Sequence, residues 1–248
     1  MEKIILVTGG GRGIGAACAL LAAEQGYAVC ISYRTNEAAA TEVIAAIEGR
    51  GGTALAIQAD VSDESAVERL FAQMDKRFGR LTALINNAGM LFPQMRVEQM
   101  DAVRINRLLA TNVTGSFLCA REAVRRMSTR HGGPGGSIVN MSSRAAVLGS
   151  PGEYVDYAAS KAALDALTIG LSKEVANEKI RVNGVRPGLI HTDIHASGGE
   201  PGRVSRLQAT VPMARGGDPL EVARAALWLL SDEASYTTGS FIEVSGGR

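Results

Sequence analysis

Short β-branched and aliphatic runs alternate along this chain with longer stretches whose apolar positions recur every three or four residues. The short runs, at 4–8, 28–33, 54–59, 83–86, 137–141, 180–185 and 240–244, have the length and residue types of strands. Helical periodicity fills the intervals, at 14–25, 37–49, 64–78, roughly 99–127, 156–177 and 219–230. Glycines close the first three helices: Gly26, then Gly51 and Gly52, then Gly79. This alternation predicts an α/β fold, a parallel sheet of about seven strands with helices on both faces. Right-handed crossovers then make the sheet doubly wound.

Nothing in the pattern divides the chain. There is no repeat period and no interdomain linker, so residues 1–248 are expected to form a single domain. The glycine-rich stretch 131–136 reads as a loop between a helix and a strand. The stretch 192–218 is rich in Gly, Pro and Ser with weak periodicity, and is the candidate for a mobile flap over a substrate.

Composition narrows the class. Hydrophobic residues make up 46% of the 248 residues and aromatics only 4%, so the core must be aliphatic. A net charge of +1 gives no electrostatic case for nucleic acid or membrane partners. Cys18, Cys30 and Cys119 lack metal-ligand spacing and read as buried reduced thiols, and no metal site is expected. The opening Met1-Glu2-Lys3 followed by Ile4 to Val7 is too short for a signal peptide. No apolar run reaches the roughly 18 residues that span a bilayer. A cytoplasmic protein is expected.

The first strand runs into Thr8-Gly9-Gly10-Gly11-Arg12-Gly13-Ile14-Gly15 and then a helix. Such a turn brings backbone N–H groups to a pyrophosphate at the positive helix end. It lacks the Gly-Lys-Ser/Thr ending of a nucleoside-triphosphate loop. A carboxylate that binds the ribose of NAD is expected about 20 residues further on. That place reads Ser32-Tyr33-Arg34. Arg34, with Arg12 beside the turn, would instead pair with a 2′-phosphate, which predicts NADP(H) over NAD(H).

From here the sequence resembles the short-chain dehydrogenase/reductase family over essentially its whole length. The motifs fall in the family's order: Thr8-Gly-x-x-x-Gly-Ile-Gly15, Asp60-Val61, Asn86-Asn-Ala-Gly89, Asn112, Ser142-Ser143, Tyr157-x-x-x-Lys161 and Pro187-Gly188. The resemblance implies a Rossmann-type fold and cofactor contacts from Gly9, Gly11, Arg12, Gly13, Ile14, Gly15, Tyr33 and Arg34. It further implies adenine contact at Asp60 and Val61 and a cofactor border at Asn87, Ala88 and Gly89. By the same carry-over, Pro187 and Gly188 open a segment over the nicotinamide, with Ile190 against the carboxamide and Thr192 hydrogen-bonded to the cofactor. The C-terminal strand resembles one that lies at a tetramer contact, so a homotetramer, or a homodimer, is expected.

Hydride transfer to a ketone leaves an alkoxide that needs a proton. A free tyrosine at roughly 10 is too weak an acid near neutrality, and a nearby ammonium should lower it. Tyr157 and Lys161, four residues apart, share one helix face. Tyr157 is then the acid for reduction and the base for oxidation. The resemblance gives Lys161 the nicotinamide ribose as well, and gives Asn112 a water that relays protons to Lys161. Ser143, at the end of the fifth strand, is placed to orient the substrate oxygen. The chain carries one residue more than the common family spacing between this serine and the tyrosine, assigned to 153–156. Tyr154 lacks a lysine four residues on, so Tyr157 is the candidate. The substrate pocket should involve Ala145, Val147, Glu153 and the 192–213 segment.

The histidines His131, His191 and His195 fall in loop-like sequence without ligand spacing, although His191 and His195 can line the substrate mouth. Arg121, Arg125, Arg126 and Arg130 form a basic cluster, either a solvated helix face or a dock for an acidic carrier. The leading reading is an NADPH-dependent carbonyl reductase or alcohol dehydrogenase acting on a small molecule. Within the family the alternatives are a 3-oxoacyl-carrier-protein reductase and a sugar or polyol dehydrogenase, glucose-dehydrogenase-like. The longer stretch 128–136 departs from the carrier-protein reductase pattern. A non-catalytic NADP-binding sensor would share the fold, but has no reason to keep Asn112, Ser143, Tyr157 and Lys161 together.

Overall fold

The computed structural model describes residues 3–248; Met1 and Glu2, which open the segment read for a targeting signal, lie outside the described residues. Seven strands, β1 Lys3–Val7, β2 Tyr27–Tyr33, β3 Ala54–Gln58, β4 Ala83–Asn86, β5 Gly136–Met141, β6 Ile180–Pro187 and β7 Phe241–Val244, form one sheet in the order β3-β2-β1-β4-β5-β6-β7. All neighbours are parallel. The strand order reverses between β1 and β4, which makes the doubly wound topology expected from the alternation.

The strands are apolar on both sides because both sides are covered. Ile5, Val7, Val29, Ile31, Ile85, Val139 and Val185 face helices α1 Gly13–Glu24, α2 Glu37–Glu48 and α10 Pro219–Leu230. Ile4, Leu6, Cys30, Leu84, Ile138 and Val182 face α3 Glu64–Phe78, α5 Gly115–Met127 and α7 Val155–Val175. The three cysteines are free and buried, and burial pushes each thiol up to about 12. Among the described residues no helix is long and apolar enough to cross a membrane, and no cluster of potential ligands could hold a metal.

The long helix read over 99–127 is interrupted. A 3-10 turn at Val97–Gln99 precedes α4 Ala102–Leu109, and a π-helical turn, Ala110–Thr114, joins α4 to α5. Buried positions still recur every three or four residues through it, at Leu108, Thr111, Asn112, Gly115 and Ser116, so periodicity alone does not show the widened turn. A short helix not anticipated, α6 Ala145–Leu148, follows Ser143. The stretch 192–218 is not featureless either. It folds into α8 Ile194–Ser197, α9 Arg203–Leu207 and a 3-10 turn. His195 therefore sits on α8 and His131 ends a 3-10 turn at Thr129–His131, where loops were expected.

Buried polar groups tie the layers together. Asn86 Nδ2 donates to Ser116 O at 3.1 Å and to Asn140 Oδ1 at 3.0 Å, and Asn140 Nδ2 donates to Thr168 Oγ1 at 2.9 Å. This ladder fastens β4 and β5 to α5 and α7. At the opposite end of the sheet, Arg181 on β6 donates to the carbonyls of Leu229, Leu230, Ser231 and Thr237, closing the C-terminus of α10. Arg181→Met is expected to lower stability by about 2 kcal/mol, since charged hydrogen bonds to carbonyls at the end of α10 are lost. Urea unfolding should show the drop, with cofactor affinity unchanged.

Candidate active site

The reversal between β1 and β4 opens a crevice at the C-terminal edge of the sheet. Two adjoining cavities, about 360 and about 470 Å³, share Ile14, Asn87, Gly89, Leu91, Thr192 and Ile194 in their walls.

The smaller cavity surrounds the glycine turn. Gly9 and Gly13 have φ of 63° and 54°, the left-handed region glycine tolerates. A Cβ on Gly15 would lie 2.4 Å from Gly9 O, so helix and turn approach too closely for any side chain. The turn is locked from β2 and β4. Gly9 N donates to Ser32 Oγ at 3.2 Å, and Asn87 Nδ2 donates to Thr8 O and Gly9 O at 3.0 and 3.1 Å. Thr8 Oγ1 accepts from the backbone N–H groups of Asn87 and Ala88 at 3.0 Å each. Arg12 caps α1 without a side-chain hydrogen bond, and Gly13, Ile14 and Gly15 line the cavity, so the first helical N–H groups remain for an anion. Further along lie Tyr33, Arg34, Asp60 and Val61. Asp60 Oδ1 is oriented by Ser62, which donates its N–H at 3.0 Å and its hydroxyl at 2.6 Å. Arg12 and Arg34 are exposed, and neither has an ion-pair partner among the described residues. The uncapped helix, the close glycine cradle and the free guanidiniums fit a dinucleotide.

The larger cavity gathers several of the residues expected to carry the chemistry. Ser143, Tyr157 and Lys161 line it together with Pro187, Gly188, Ile190 and Thr192. Ser143 Oγ accepts from Ala145 N at 3.1 Å, which fixes the hydroxyl at the start of α6. Ser142 is turned away: it is buried, and its hydroxyl donates to Lys161 O at 3.2 Å. Lys161 Nζ donates to Met141 O at 2.7 Å and lies 5.6 Å from the Tyr157 ring centroid. Asn112, in the π-helical turn, has both side-chain atoms engaged. Its Oδ1 accepts from Met90 N at 2.8 Å, and its Nδ2 donates to Met90 O and Ser160 Oγ at 3.1 Å each. It clamps the turn after β4 to α7, and both its Oδ1 and Lys161 Nζ lie 3.5 Å from where a Cβ on Gly89 would sit.

Burial governs the electrostatics. It pushes Tyr157 up to about 12, with the Ser143 hydrogen bond pulling back, and pushes Lys161 down to about 8, with the Asp165 carboxylate one turn on pulling back. The expected depression of the phenol is outweighed in this geometry by burial of the hydroxyl.

Some expectations change at the rim. Ala145 and Glu153 line the larger cavity, but Val147 is outward-facing at 51% exposure and Leu148 takes its place. His195 lines the cavity, its Nε2 2.9 Å from Ile190 O, and burial lowers its pKa. His191 is exposed and packs against Gly216 outside the cavity wall. The basic cluster is neutralised: Arg121 pairs with Glu64, Glu68 and Glu122, Arg125 with Glu122, Arg126 with Glu122 and Asp75, and Arg130 with Glu178.

Sequence reasoning missed three supports. Asp165 repeats the four-residue spacing beyond Lys161 and was legible as such. Arg104 pairs with the buried Asp156 at 2.8 Å, and Asp156 Oδ1 accepts from Tyr157 N at 2.9 Å, so the pair holds the first turn of α7. Arg203 reaches the cavity from α9 and pairs with Glu153. The last two pairings span about fifty residues of chain, and no local pattern announces them.

Comparison with known proteins agrees with this geometry. A family model described as enoyl-(acyl carrier protein) reductase matches residues 9–248. The chain is 60% identical over 245 residues, 99% of each chain, to an uncharacterized oxidoreductase of Escherichia coli, YgfF. It is 38% identical over 246 residues, 99% of this chain and 93% of the other, to 3beta-hydroxysteroid dehydrogenase 1 of Eggerthella lenta. A solved short chain dehydrogenase from Burkholderia cenocepacia in complex with NADP superposes with a TM-score of 0.90 at 32% identity, covering 99% of this chain and 97% of that one. The chain belongs to the short-chain dehydrogenase/reductase family, oxidoreductases that use a nicotinamide cofactor.

Proposed function

We propose that the protein is an NADPH-dependent oxidoreductase that interconverts a small-molecule carbonyl and a secondary alcohol. The observation that carries this reading is the grouping of Ser143, Tyr157 and Lys161 in the wall of one cavity that adjoins the glycine cradle of the other. When bound, the nicotinamide supplies or takes up the hydride. The residues handle the proton and the geometry. Ser143, held by Ala145 N, donates a hydrogen bond to the substrate oxygen and orients it toward Tyr157. In reduction the Tyr157 hydroxyl gives its proton to the forming alkoxide; in oxidation the tyrosinate takes it back. The Lys161 ammonium stabilises that tyrosinate, and Met141 O holds the ammonium in place. Asn112 acts as a positioning residue that keeps Gly89 and Met90 against α7.

The smaller cavity supports the cofactor contacts. Gly9, Gly11, Gly13, Ile14 and Gly15 cradle the pyrophosphate, Asp60 and Val61 border the adenine, and Asn87, Ala88 and Gly89 border the nicotinamide half. Pro187, Gly188, Ile190 and Thr192 close over the nicotinamide, with Thr192 packed on Gly13. Arg12 and Arg34, with Tyr33 beside them, favour the 2′-phosphate of NADPH over the bare ribose of NADH. The 192–218 segment serves as the flap over the substrate. Exposed apolar side chains at Val103, Phe117 and Ile169, and at Trp228 and Tyr236, suit a homotetramer, and three reduced thiols suit the cytoplasm.

Fluorescence titration is expected to show NADPH binding at least about tenfold tighter than NADH, with Arg34→Ala removing most of the difference; equal affinities in the wild type would remove the Arg34 argument. Tyr157→Phe should abolish turnover while leaving NADPH affinity within about twofold. Turnover that survives this change would remove the proton assignment. The pH profile follows from the two buried groups. Tyr157 stays protonated through neutrality, but Lys161 is charged only below about 8. Reduction measured as kcat/KM should therefore be flat through neutrality and fall above pH about 8, not near 12. Asp165→Asn should move that fall to lower pH, because it removes the carboxylate that favours the ammonium.

A further inference from the structure

The reacting carbon occupies only the inner end of the larger cavity. What recognises the rest of the substrate is the wall beyond Tyr157, and that wall is charged where it meets α9. Arg203 and Glu153 both line the cavity, and Arg203 is only 8% exposed. Its Nη2 donates to Glu153 Oε2 at 2.5 Å, its Nη1 donates to Glu200 Oε2 at 3.0 Å, and its guanidinium lies 4.9 Å from the Tyr154 ring centroid. Arg206 donates to both oxygens of Glu200 and lies 3.6 Å from Glu153 Oε1. Two carboxylates and two guanidiniums thus cancel in charge.

The same cluster is anchored on three sides. Glu153 O accepts from Met95 N at 3.0 Å, Gln94 Nε2 donates to Glu200 Oε2 at 2.6 Å, and Glu153 precedes Tyr157 by four residues. The loop after β4, the approach to α7 and helix α9 are cross-linked into one wall. The space enclosed is about 470 Å³, and it includes the part beneath Pro187, Gly188 and Thr192 assigned to the nicotinamide end. A substrate has only the remainder.

This wall selects by chemistry. An apolar chain laid on it would strip water from the ion pair and return no hydrogen bond. An anion would meet Glu153, and a cation would meet Arg203. A hydroxyl satisfies both: it donates to the Glu153 carboxylate and accepts from the Arg203 guanidinium. Resting on the reductase reading above, we propose that Glu153 and Arg203 form a hydroxyl-recognition subsite. The substrate is then a short neutral carbonyl compound or alcohol with further hydroxyl groups, such as a hydroxyketone, small sugar or polyol.

The test compares ketones of equal size. Dihydroxyacetone and 3-pentanone have the same number of heavy atoms and differ by hydroxyls in place of methyls. With saturating NADPH, the wild-type enzyme is expected to favour dihydroxyacetone by at least about tenfold in kcat/KM, mostly through KM. The double variant Glu153→Met/Arg203→Met removes the pair without leaving a lone buried charge, and thermal melting checks that it folds. It should bring the two ketones to within about twofold of each other. A wild-type preference for 3-pentanone, or equal rates, overturns the subsite whether or not the variant folds. So does faster turnover of a steroid ketone or a long acyl thioester than of dihydroxyacetone. Those outcomes, if abolished by Tyr157→Phe, leave the reductase reading standing. Absence of any Tyr157-dependent turnover removes both.

Discussion

Every strand of the sheet runs the same way, and the rest of the molecule follows from that constraint. Parallel strands need crossovers, the crossovers cover both faces, and all the C-terminal strand ends open on one edge. Residues far apart in sequence then meet there without any long-range pairing of their own. The glycine turn after β1, Ser32 at the end of β2, Asn87 after β4, Ser143 after β5 and Pro187 at the end of β6 all lie on that edge. The reversal of direction between β1 and β4 parts the loops and leaves room for a ligand at the same place.

An edge made of loops is not rigid by itself, and here it is fixed by polar groups that are fully used. Thr8, Ser32 and Asn87 close the glycine turn from two neighbouring strands. Asn112 joins the turn after β4 to α7, and the Asn86, Asn140 and Thr168 ladder does the same one layer deeper. These bonds allow the site to bury a lysine amine against a single carbonyl. The cost appears as the lowered proton affinity of Lys161, opposite in direction to the shift of Tyr157. Tyr157 holds its proton strongly and Lys161 holds its proton weakly, so the charge state of the site turns on the lysine. A buried carboxylate one helical turn away, Asp165, is anchored by Arg186 at 3.0 Å and keeps the ammonium from being lost at neutral pH.

The frame was legible because the period of apolar residues reports burial directly. Strand positions, the helices over 64–78 and 219–230, and the double cover of the sheet all follow from it. The π-helical turn around Asn112 was not legible, since buried positions go on recurring every three or four residues through it. Local spacing showed Tyr157 and Lys161 as neighbours, but could not show that Lys161 bonds Met141 O or that burial raises the phenol. In the arginine cluster over 121–130, Glu122 on the same helix is a partner that local spacing offers, but Glu64, Glu68, Asp75 and Glu178 come from other elements. Charge that is paired across the fold is invisible to a one-dimensional reading, and the same blindness hid Arg104 and Arg203.

The departure from the family's spacing gains a physical meaning at this point. The extra residue was assigned to 153–156, just before Tyr157. Both ends of that short segment carry a carboxylate committed to a distant arginine: Glu153 to Arg203 on α9, Asp156 to Arg104 on α4. Between them Tyr154 is buried beneath the Arg203 guanidinium, with its hydroxyl toward Gly198 O. The two attachments flank the start of α7. The position of Tyr157 is thereby set from outside the helix as well as along it. The proposed substrate wall and the turn that bears Tyr157 are one covalent segment with separate anchors, Glu153 on Arg203 for the wall and Asp156 on Arg104 for the turn.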